Sequence, residues 1–342
     1  MEDASALADV LAVPAPAPRG PETYAALDLG TNNCRLLVGA PTGQGFRVVD
    51  SFSRIVRLGE GLDATGRLSP AAMDRTLAAL RLCQARLARR RVRRIRAVAT
   101  EACRQAANGT DFIARVRAET GLPFEIIAPR EEAQLAMESC APLLGAPARR
   151  ALLFDIGGGS TEIAWIRLNG GRRDLIGYDS LPVGVVTLAE RYGPARDTAE
   201  GFVAMRDEVA AQLAHFESIH RIAHEIARGG VRVVGTSGTV TTLAGIALAL
   251  PRYRRPLVDG QTLSLAQVDA ALADIRAMGL RRLARHPCVG PDRVEFVLPG
   301  CAIFAAIRGA WPAPELTVAD RGLREGMLLR MIRADRARRV PR

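Results

Sequence analysis

Three short glycine-containing turns hold the residues of this sequence whose types and spacing are best suited to binding phosphate. The turns are DLGTNN at 28–33, DIGGGST at 155–161 and GTSGT at 235–239, and each follows an apolar segment. Small residues in such turns allow consecutive backbone N–H groups to point into one concavity, where an anion can bind. The first two turns also begin with a carboxylate, Asp28 or Asp155. Because two turns share this pattern, the sequence predicts a phosphate-binding site. The alternative is that Asp28 and Asp155 only stabilise the turns through hydrogen bonds to the backbone.

The basic residues of the chain are all arginine, since the 47 residues counted as Lys+Arg include no lysine. This excludes a Walker-type phosphate loop, a protein kinase and Schiff-base chemistry, because each requires a lysine amine. Arginine stays protonated and presents a planar fork of donors that matches phosphate oxygens. The net charge of +11 therefore indicates a polyanionic partner. The aromatic content of 4% disfavours single-stranded nucleic acid, which is usually held by stacking, so a phosphate-rich ligand without nucleic acid is predicted.

The elements that must position these turns repeat along the chain. The segment ALLFDIGGGSTEIAWI at 151–166 has the same order of features as AALDLGTNNCRLLVGA at 25–40: an apolar strand, an aspartate, a glycine turn and a second apolar strand. The similarity continues downstream, because SLPVGVV at 180–186 follows its aspartate at a similar distance to VRLGEGL at 56–62. Apolar strands then alternate with helical periodicity. The sequence thus predicts a duplicated α/β unit with a cleft between the two copies.

The length of 342 residues fits two domains. Ser69 and Pro70 are residue types expected at the start of a helix, and apolar residues recur with helical spacing at 202–226. The Pro/Ala-rich N-terminal segment has no apolar pattern to bury, and we expect it to be disordered. The predicted division is a tail at 1–22, a first domain at 23–136, a second domain at 137–321, and a C-terminal helix at 322–342 that could pack on the first domain.

The composition and the N-terminal sequence also indicate where in the cell the protein is expected. No apolar run approaches the roughly 20 residues of a membrane span, and the acidic N-terminus does not resemble a secretory signal. The six cysteines are scattered without a C-x-x-C pair, which favours reduced, buried thiols over a disulfide scaffold or a zinc ribbon. We therefore expect a cytoplasmic protein that does not bind membranes.

Eight motifs in a consistent order resemble the exopolyphosphatase and guanosine pentaphosphate phosphohydrolase (Ppx/GppA) family of the actin-like ATPase superfamily. The resemblance covers about residues 24–330 and rests on DLGTNN, RLGEGL, TEACRQAANGTDF, REEA, DIGGGSTE, GTSGT, FVLPG and ADRGLREG. It implies an α/β protein of two actin-like (RNase H-like) domains, with mixed sheets flanked by helices and an interdomain cleft. Members of the family are often dimers, so a homodimer is expected.

By this resemblance, the first two turns bind phosphates and Mg²⁺ from opposite walls of the cleft. Glu132 corresponds to the catalytic carboxylate of the family, Glu162 to a second acidic residue linked to water or metal, and Arg104 to a phosphate-binding arginine. The implied metal ligands are Asp28, Asp155 and Glu162. The phosphate-binding residues assigned in the three turns are Gly30, Thr31, Asn32, Asn33, Gly157, Gly158, Gly159, Ser160, Thr161, Ser237 and Gly238.

The chemistry of phosphoanhydride hydrolysis agrees with these roles. The terminal phosphoryl group must be held, its charge neutralised and a water molecule aligned. A carboxylate beside the metal can orient and deprotonate that water, and Glu132 is the predicted base. Glu131 lies about 100° away around a helix, so it is not expected to face the same cleft. Ala128 and Pro129 stand where the family usually has Ser-Gly, which predicts a stiffer loop before Glu132.

The leading hypothesis is a Mg²⁺-dependent hydrolase that releases terminal orthophosphate from inorganic polyphosphate. Guanosine pentaphosphate, cleaved at its 5′ end, is the alternative substrate, because both activities share these motifs. A binding module that senses either compound without turning it over is a second hypothesis, which the altered loop before Glu132 keeps open. A sugar or acetate kinase of the same superfamily is a third, and it is disfavoured because the sequence has no evident nucleotide-specific insert.

Two other features have ordinary structural interpretations. His215, His220 and His224 could suggest a metal site, but His215 and His220 lie about 140° apart around a helix, so the three cannot converge. The segment from Arg81 to Arg96 contains eight arginines. Such a run is typical of a solvated helix face, and it could also guide a polyanion towards the protein.

Overall fold

Two α/β units make up the described part of the chain. The computed structural model describes residues 21–43, 45–145 and 147–339, so nearly all of the predicted tail at 1–22 lies outside the described residues. Each unit is built on one mixed sheet with helices packed against it, and the predicted fold class is confirmed. Within these ranges no helix is long and apolar enough to cross a lipid bilayer.

The first sheet has the strand order β3-β2-β1-β4-β5. Strands β1 to β3 are antiparallel neighbours, whereas β4 and β5 run parallel to β1. The strands are β1 (Thr23–Leu29), β2 (Asn33–Pro41), β3 (Phe46–Ile55), β4 (Val92–Ala99) and β5 (Phe124–Ile126). The helices are α1 (Leu62–Thr65), α2 (Pro70–Ala88), α3 (Glu101–Gln105), α4 (Gly109–Thr120) and α5 (Pro129–Cys140).

The second sheet has the strand order β10-β11-β9-β6-β7-β8 and repeats the plan of the first, with an antiparallel β6-β7-β8 meander and β9 parallel to β6. Its strands are β6 (Arg150–Ile156), β7 (Thr161–Asn169), β8 (Arg172–Leu181), β9 (Val231–Thr236), β10 (Thr262–Ser264) and β11 (Glu315–Ala319). The remaining helices are α6 (Val185–Tyr192), α7 (Ala199–His220), α8 (Ile222–Ala227), α9 (Gly238–Ala247), α10 (Arg255–Val258), α11 (Leu265–Arg285), α12 (Val294–Ala310) and α13 (Leu323–Arg339).

Local sequence signals begin and end several of these helices. The Ser69 hydroxyl accepts a hydrogen bond of 3.2 Å from the Ala72 N–H at the start of α2. Pro70 occupies the first turn of that helix, where its missing N–H has no intrahelical partner to lose. Gly121 ends α4 in the left-handed conformation. The sequence indicated the start of α2 because Ser69 satisfies a backbone group that a helix leaves unpaired.

The helical spacing at 202–226 is divided between two helices instead of continuing through one. Arg221 has a φ of +50° and ends α7. The Glu217 carboxylate then accepts hydrogen bonds from the backbone N–H groups of Ile222 (2.8 Å) and Ala223 (3.3 Å), which begins α8. Ile219, which the spacing assigns to the apolar face, is 59% exposed because the helix ends beside it.

Helices α5 and α13 join the two units. One buried cluster packs both helices against the first sheet, and it includes Tyr24, Ala26, Leu37, Leu135, Met327, Leu328 and Met331. A second cluster packs Ala133, Ala136 and Cys140 of α5 against the second sheet. The predicted boundary between residues 136 and 137 therefore falls inside a helix that belongs to both cores.

Asp335 ties α13 to the start of the first sheet. Its carboxylate accepts hydrogen bonds from the Tyr24 hydroxyl (2.9 Å), Arg93 Nε (2.7 Å) and Arg94 Nη1 (3.0 Å), and the residue is only 5% exposed. Burial opposes ionisation, but the hydrogen bonds from Arg93, Tyr24 and Arg94 outweigh it and lower the pKa of Asp335 to about 2. Two arginines of the Arg81–Arg96 run thus hold the C-terminal helix in place.

Replacement of Asp335 by asparagine should destabilise the protein by about 2 kcal/mol at pH 7, because it removes a charged acceptor from two arginines. The pKa of this carboxyl group in the folded protein lies below its ordinary value of 3.8. Its stabilising effect should therefore be complete above about pH 4 and should be lost as the pH falls towards 2. Urea unfolding of both proteins across this range measures the difference.

Asp269→Asn is the matched control, because Asp269 forms an exposed pair with Arg308. It should cost between zero and about 1 kcal/mol. Equal losses in the two variants would contradict a special role for Asp335, and so would a difference that stays constant from pH 5 to pH 2.

Candidate active site

A cavity of about 620 Å³ lies between the two units and receives residues from both. It brings together nearly all of the residues that the sequence assigned to the site, from positions 28 to 238 of the chain. The assigned residues that line it are Asp28, Gly30, Thr31, Asn32, Asn33, Glu132, Asp155, Gly157, Gly158, Gly159, Ser160, Glu162, Ser237 and Gly238. Arg104 and Thr161 do not line it. Thr161 is fully buried, and its hydroxyl donates to the carbonyl oxygen of Val183 (2.7 Å).

The first two turns have the same internal hydrogen bond. In the first turn, the Gly30 N–H donates to the carbonyl oxygen of Asn33 at 3.0 Å. In the second, the Gly157 N–H donates to the carbonyl oxygen of Ser160 at 2.9 Å. The internal repeat therefore extends to the backbone of the site, with each turn closing the gap between the first two strands of its sheet.

The two turns touch each other across the cleft. A Cβ atom on Gly158 would lie 3.1 Å from Thr31 Cβ and 3.3 Å from the backbone N of Asn32. A Cβ on Gly159 would lie 2.5 Å from Thr31 Oγ1. A side chain at Gly159 would therefore displace Thr31, and one at Gly158 would leave only a tight contact, so glycine favours this close approach.

A second layer of glycine supports this contact. A Cβ on Gly184 would clash with the backbone of Gly158 and would lie 2.7 Å from the carbonyl oxygen of Gly157. The N–H groups of Val185 and Val186 donate to the carbonyl oxygens of Gly157 (3.0 Å) and Gly158 (2.8 Å). The start of α6 thus fixes the position of the second turn.

Six acidic residues line the cavity, and three of them, Asp28, Asp155 and Glu162, are partly buried beside the first two turns. Burial raises the pKa of Asp28, an effect that the nearby charges of Arg35 and Arg324 oppose. Burial also raises the pKa of Asp155 to about 6. Burial and the charge of Asp155 raise the pKa of Glu162 to about 7. All three groups therefore favour a bound cation or a proton over remaining as isolated anions.

Glu132 is in the first turn of α5 and is only 3% exposed. Arg104 Nη2 donates to its carboxylate at 3.1 Å, and the same guanidinium bonds Glu101 and, at 2.8 Å, the carbonyl oxygen of Ile127. Burial and the charge of Glu162 raise the pKa of Glu132 well above its ordinary value, against the opposing effect of Arg104. Such a carboxylate is suited to accepting a proton near neutral pH.

The stiff dipeptide before Glu132 does not turn it away from the cavity. Ala128 is extended, and Pro129 occupies the first position of α5, where its fixed φ suits a helix start. Glu131 points to the other side of the helix, where it pairs with Arg96 (2.6 Å) and Arg330 (3.2 Å). The neighbouring glutamates thus face different surroundings, as the helical angle between them requires.

The third turn meets the cavity at the start of α9. Ser237 has a φ of +126°, which L residues rarely adopt. Its hydroxyl accepts hydrogen bonds from the N–H groups of Thr239 (3.2 Å) and Val240 (3.3 Å), so it caps the helix. Gly238 and the first turn of α9 then lie in the wall of the cavity.

Several lining residues were not identified from the sequence. Arg35 is paired directly opposite Asp28 in the β1–β2 register, and its charge lowers the pKa of both Asp28 and Asp155. The hairpin register of DLGTNNCR could have placed it on the same face as Asp28. Arg57 and Arg293 also line the cavity, together with an apolar group from α11, α12 and the segment before α12: Ile275, Val289, Phe296, Val297 and Cys301. These residues come from distant elements, and no local motif marks them.

The sequence pattern of the Ppx/GppA phosphatase family matches residues 37–335. This chain belongs to the Ppx/GppA phosphatase family. The crystal structure of the Aquifex aeolicus family member is 28% identical, with a TM-score of 0.76 over 92% of this chain and 98% of that chain. An exopolyphosphatase-like protein is 26% identical, with a TM-score of 0.77 over 90% of this chain and 97% of that chain. An exopolyphosphatase from Cytophaga hutchinsonii, 22% identical, shares the fold with a TM-score of 0.81 over 91% of this chain and 98% of that chain.

The oxygen atoms in this Ppx/GppA site fit a magnesium ion that is bound partly by the protein and partly by phosphate oxygens of the substrate. Carboxylate and amide oxygens are hard ligands, and the Asn32 Oδ1 atom is buried in the cavity without a hydrogen-bond partner among the described residues. Within the same residues, no three His, Cys, Asp or Glu side chains form a ready-made metal cluster. Mg²⁺ usually takes one or two carboxylates and completes its shell with water and phosphate oxygens, so a sparse donor set is the expected one.

The histidines lie apart from this site. His220 packs against the Phe216 ring with 4.4 Å between ring centroids, and a Cβ on Gly177 would clash with its imidazole. Burial lowers the pKa of His220. This is the environment of a packed side chain, in agreement with a structural role for His220.

Replacement of Gly184 by alanine should displace the second turn, because the backbone of Gly158 cannot yield to the added methyl group. We expect kcat/KM for phosphate release to fall by about 100-fold, since displacements on the order of 1 Å in a catalytic site have effects of this size. Gly309→Ala is the control, because a Cβ on Gly309 meets open space within α12. Comparable activity in the two variants would show that the loop contact does not matter.

Proposed function

We propose that this protein is a Mg²⁺-dependent phosphohydrolase that releases terminal orthophosphate from inorganic polyphosphate. The observation that carries the proposal is the position of Glu132, whose buried side chain lines the same cavity as the two glycine turns. Membership of a phosphatase family supports it. The similarity to an exopolyphosphatase-like protein supports the choice of substrate.

The two turns would hold the end of the phosphate chain. Residues 30–33 and 157–160 approach from opposite units, and their small side chains favour contact between phosphate oxygens and the backbone N–H groups that the turns do not use internally. Arg35 lines the same cavity, and its permanent positive charge acts on both Asp28 and Asp155. A chain end bound here is therefore neutralised from both walls of the cleft.

One or two of the carboxylates of Asp28, Asp155 and Glu162, with the Asn32 amide oxygen, would hold Mg²⁺. When bound, the ion supplies positive charge to the phosphate oxygens and to the leaving group. Ser160 and Ser180 hold the Glu162 carboxylate by hydrogen bonds, the second of 3.2 Å. These hydroxyls fix the direction in which Glu162 presents its oxygens.

Glu132 would orient the attacking water and accept its proton. Its raised pKa suits this role, because a base is most effective when its pKa is close to the working pH. Arg104 bonds two carboxylates and a carbonyl oxygen at once, so its donors are engaged within the protein. We therefore propose that Arg104 positions Glu132, in place of the phosphate-binding role that the resemblance implied.

Guanosine pentaphosphate is the second candidate substrate, and the apolar group at one end of the cavity favours it. Phe296 of this group is partly exposed, and an uncharged ring could contact it. Parallel phosphate-release assays with short polyphosphate, long polyphosphate and guanosine pentaphosphate distinguish the two, and turnover of none of them would contradict both.

Replacement of Glu132 by glutamine should lower kcat by about 100- to 10,000-fold, because the amide cannot accept the proton of the water. Glu131→Gln is the matched control on the same turn of α5, and it should leave kcat nearly unchanged. Phosphate release in the presence of Mg²⁺ measures both. Equal background release by the wild type and Glu132→Gln would instead support a binding module that senses polyphosphate.

Replacement of Arg104 by glutamine should lower kcat by about tenfold or more and leave KM for short polyphosphate nearly unchanged, because it releases Glu132 without removing a phosphate contact. Steady-state kinetics separate the two parameters. A rise in KM at constant kcat would show that Arg104 binds phosphate directly.

A further inference from the structure

A second cavity lies at the opposite end of the second sheet from the catalytic cleft. It has a volume of about 510 Å³ and is lined at its rim by Arg149, Arg150, Arg167 and Arg228, with Glu225 as the one acidic residue. We name it the arginine pocket. Arg150 begins β6 and Asp155 lies near the end of the same strand, so about 17 Å of strand separates the pocket from the cleft.

The charges in the arginine pocket are not balanced by the protein. Arg150 Nε lies 3.4 Å from the Glu225 carboxylate. Arg149, Arg167 and Arg228 have no carboxylate within 4 Å among the residues that the structure describes. The acidic residue opposite Arg167 on the neighbouring strand, Asp174, lies 3.8 Å from Arg172.

Two of these arginines face each other directly. Arg150 and Arg167 are paired in the antiparallel β6–β7 register, so their side chains leave the same face of the sheet. Like charges at directly opposed positions destabilise a sheet. A bound anion would remove this repulsion, and it would do so in a concave site with several guanidinium groups at hand.

The pocket differs from the Arg81–Arg96 run in its shape and in its share of paired arginines. In that run, Arg81, Arg86, Arg90, Arg93, Arg94 and Arg96 each pair with a carboxylate. Around the arginine pocket, three of the four lining arginines have no such partner among the described residues, and all four border one cavity. Guanidinium groups grouped around a cavity can bind an external ligand with several anionic groups.

We propose that the arginine pocket binds a second stretch of the inorganic polyphosphate chain whose end lies in the catalytic cleft. This inference rests on the proposed function. The pocket and the cleft open at opposite ends of β6, so a chain must pass around the outside of the second unit to occupy both. Short chains can use the cleft alone, whereas long chains gain affinity from two points of attachment.

The test is the triple variant Arg149→Gln, Arg167→Gln, Arg228→Gln. It should raise KM for polyphosphate of several hundred residues by about tenfold, and leave KM for triphosphate and both kcat values unchanged, because only long chains reach the second site. The matched control is Arg281→Gln, Arg282→Gln, Arg285→Gln, which removes three exposed arginines of α11 that line neither cavity. Equal effects in both triple variants, or equal effects on short and long chains, would overturn the proposal, because they indicate only a change in total charge.

Binding measured by calorimetry in EDTA separates this inference from the proposed function. Long polyphosphate should bind the wild type and the α11 control with similar affinity and the pocket variant much more weakly, even if no hydrolysis is ever detected. Undiminished binding to the pocket variant would overturn the inference and leave the catalytic proposal standing. If single-stranded DNA or phosphatidylserine vesicles show the same dependence on the three arginines at equal charge concentration, the assignment to polyphosphate is overturned in favour of that polyanion.

Discussion

The contact between two glycine turns, one from each unit, is the constraint on which the site depends. Gly158 and Gly159 lie against Thr31 and Asn32 at distances that leave little space for a Cβ atom, and Gly184 contacts the second turn from its other side. Because the two turns meet here directly, they form the floor of one cavity that Asp28 and Asp155 also line. A single methyl group would separate the two halves of that floor. The relative position of the two units therefore depends on the contact between these two turns.

Burial of charge gives this floor its chemistry. Asp28, Asp155 and Glu162 are partly buried, and their raised pKa values reflect the cost of keeping them ionised. Arg35 offsets part of this cost, and a cation bound with phosphate would offset the rest. Glu132 lies in the same low-dielectric region, so its affinity for a proton is linked to the charge of Glu162. These charges are the reason that we propose binding of a cation and a polyanion together.

Arginine has two distinct roles on the surface of this lysine-free protein. Where carboxylates match it, as at Asp335 and Glu131, it joins helices to the first sheet. Where carboxylates are missing, as around the arginine pocket, the same side chain remains available to a ligand. The planar guanidinium group serves both purposes because it bonds carboxylate and phosphate oxygens with the same geometry. Only the neighbours decide which role a given arginine has.

The sequence by itself determined the duplicated α/β plan, the two turns led by Asp28 and Asp155, and the start and end of helices such as α2 and α4. These features are set by local periodicity, glycine conformation and capping, which a linear sequence displays directly. It also separated Glu132 from Glu131, because the helical angle between adjacent residues is fixed.

The tertiary structure alone decided which side chains share a cavity. Arg35 entered the site through the register of a hairpin, and the apolar wall came from α11, α12 and the segment between them, far along the chain. The engagement of Arg104 with two glutamates, the separation of Thr161 from the cavity and the break at Arg221 likewise depend on three-dimensional neighbours. The number and distance of carboxylates around each arginine are set by packing between distant segments, and no local pattern in the sequence records them.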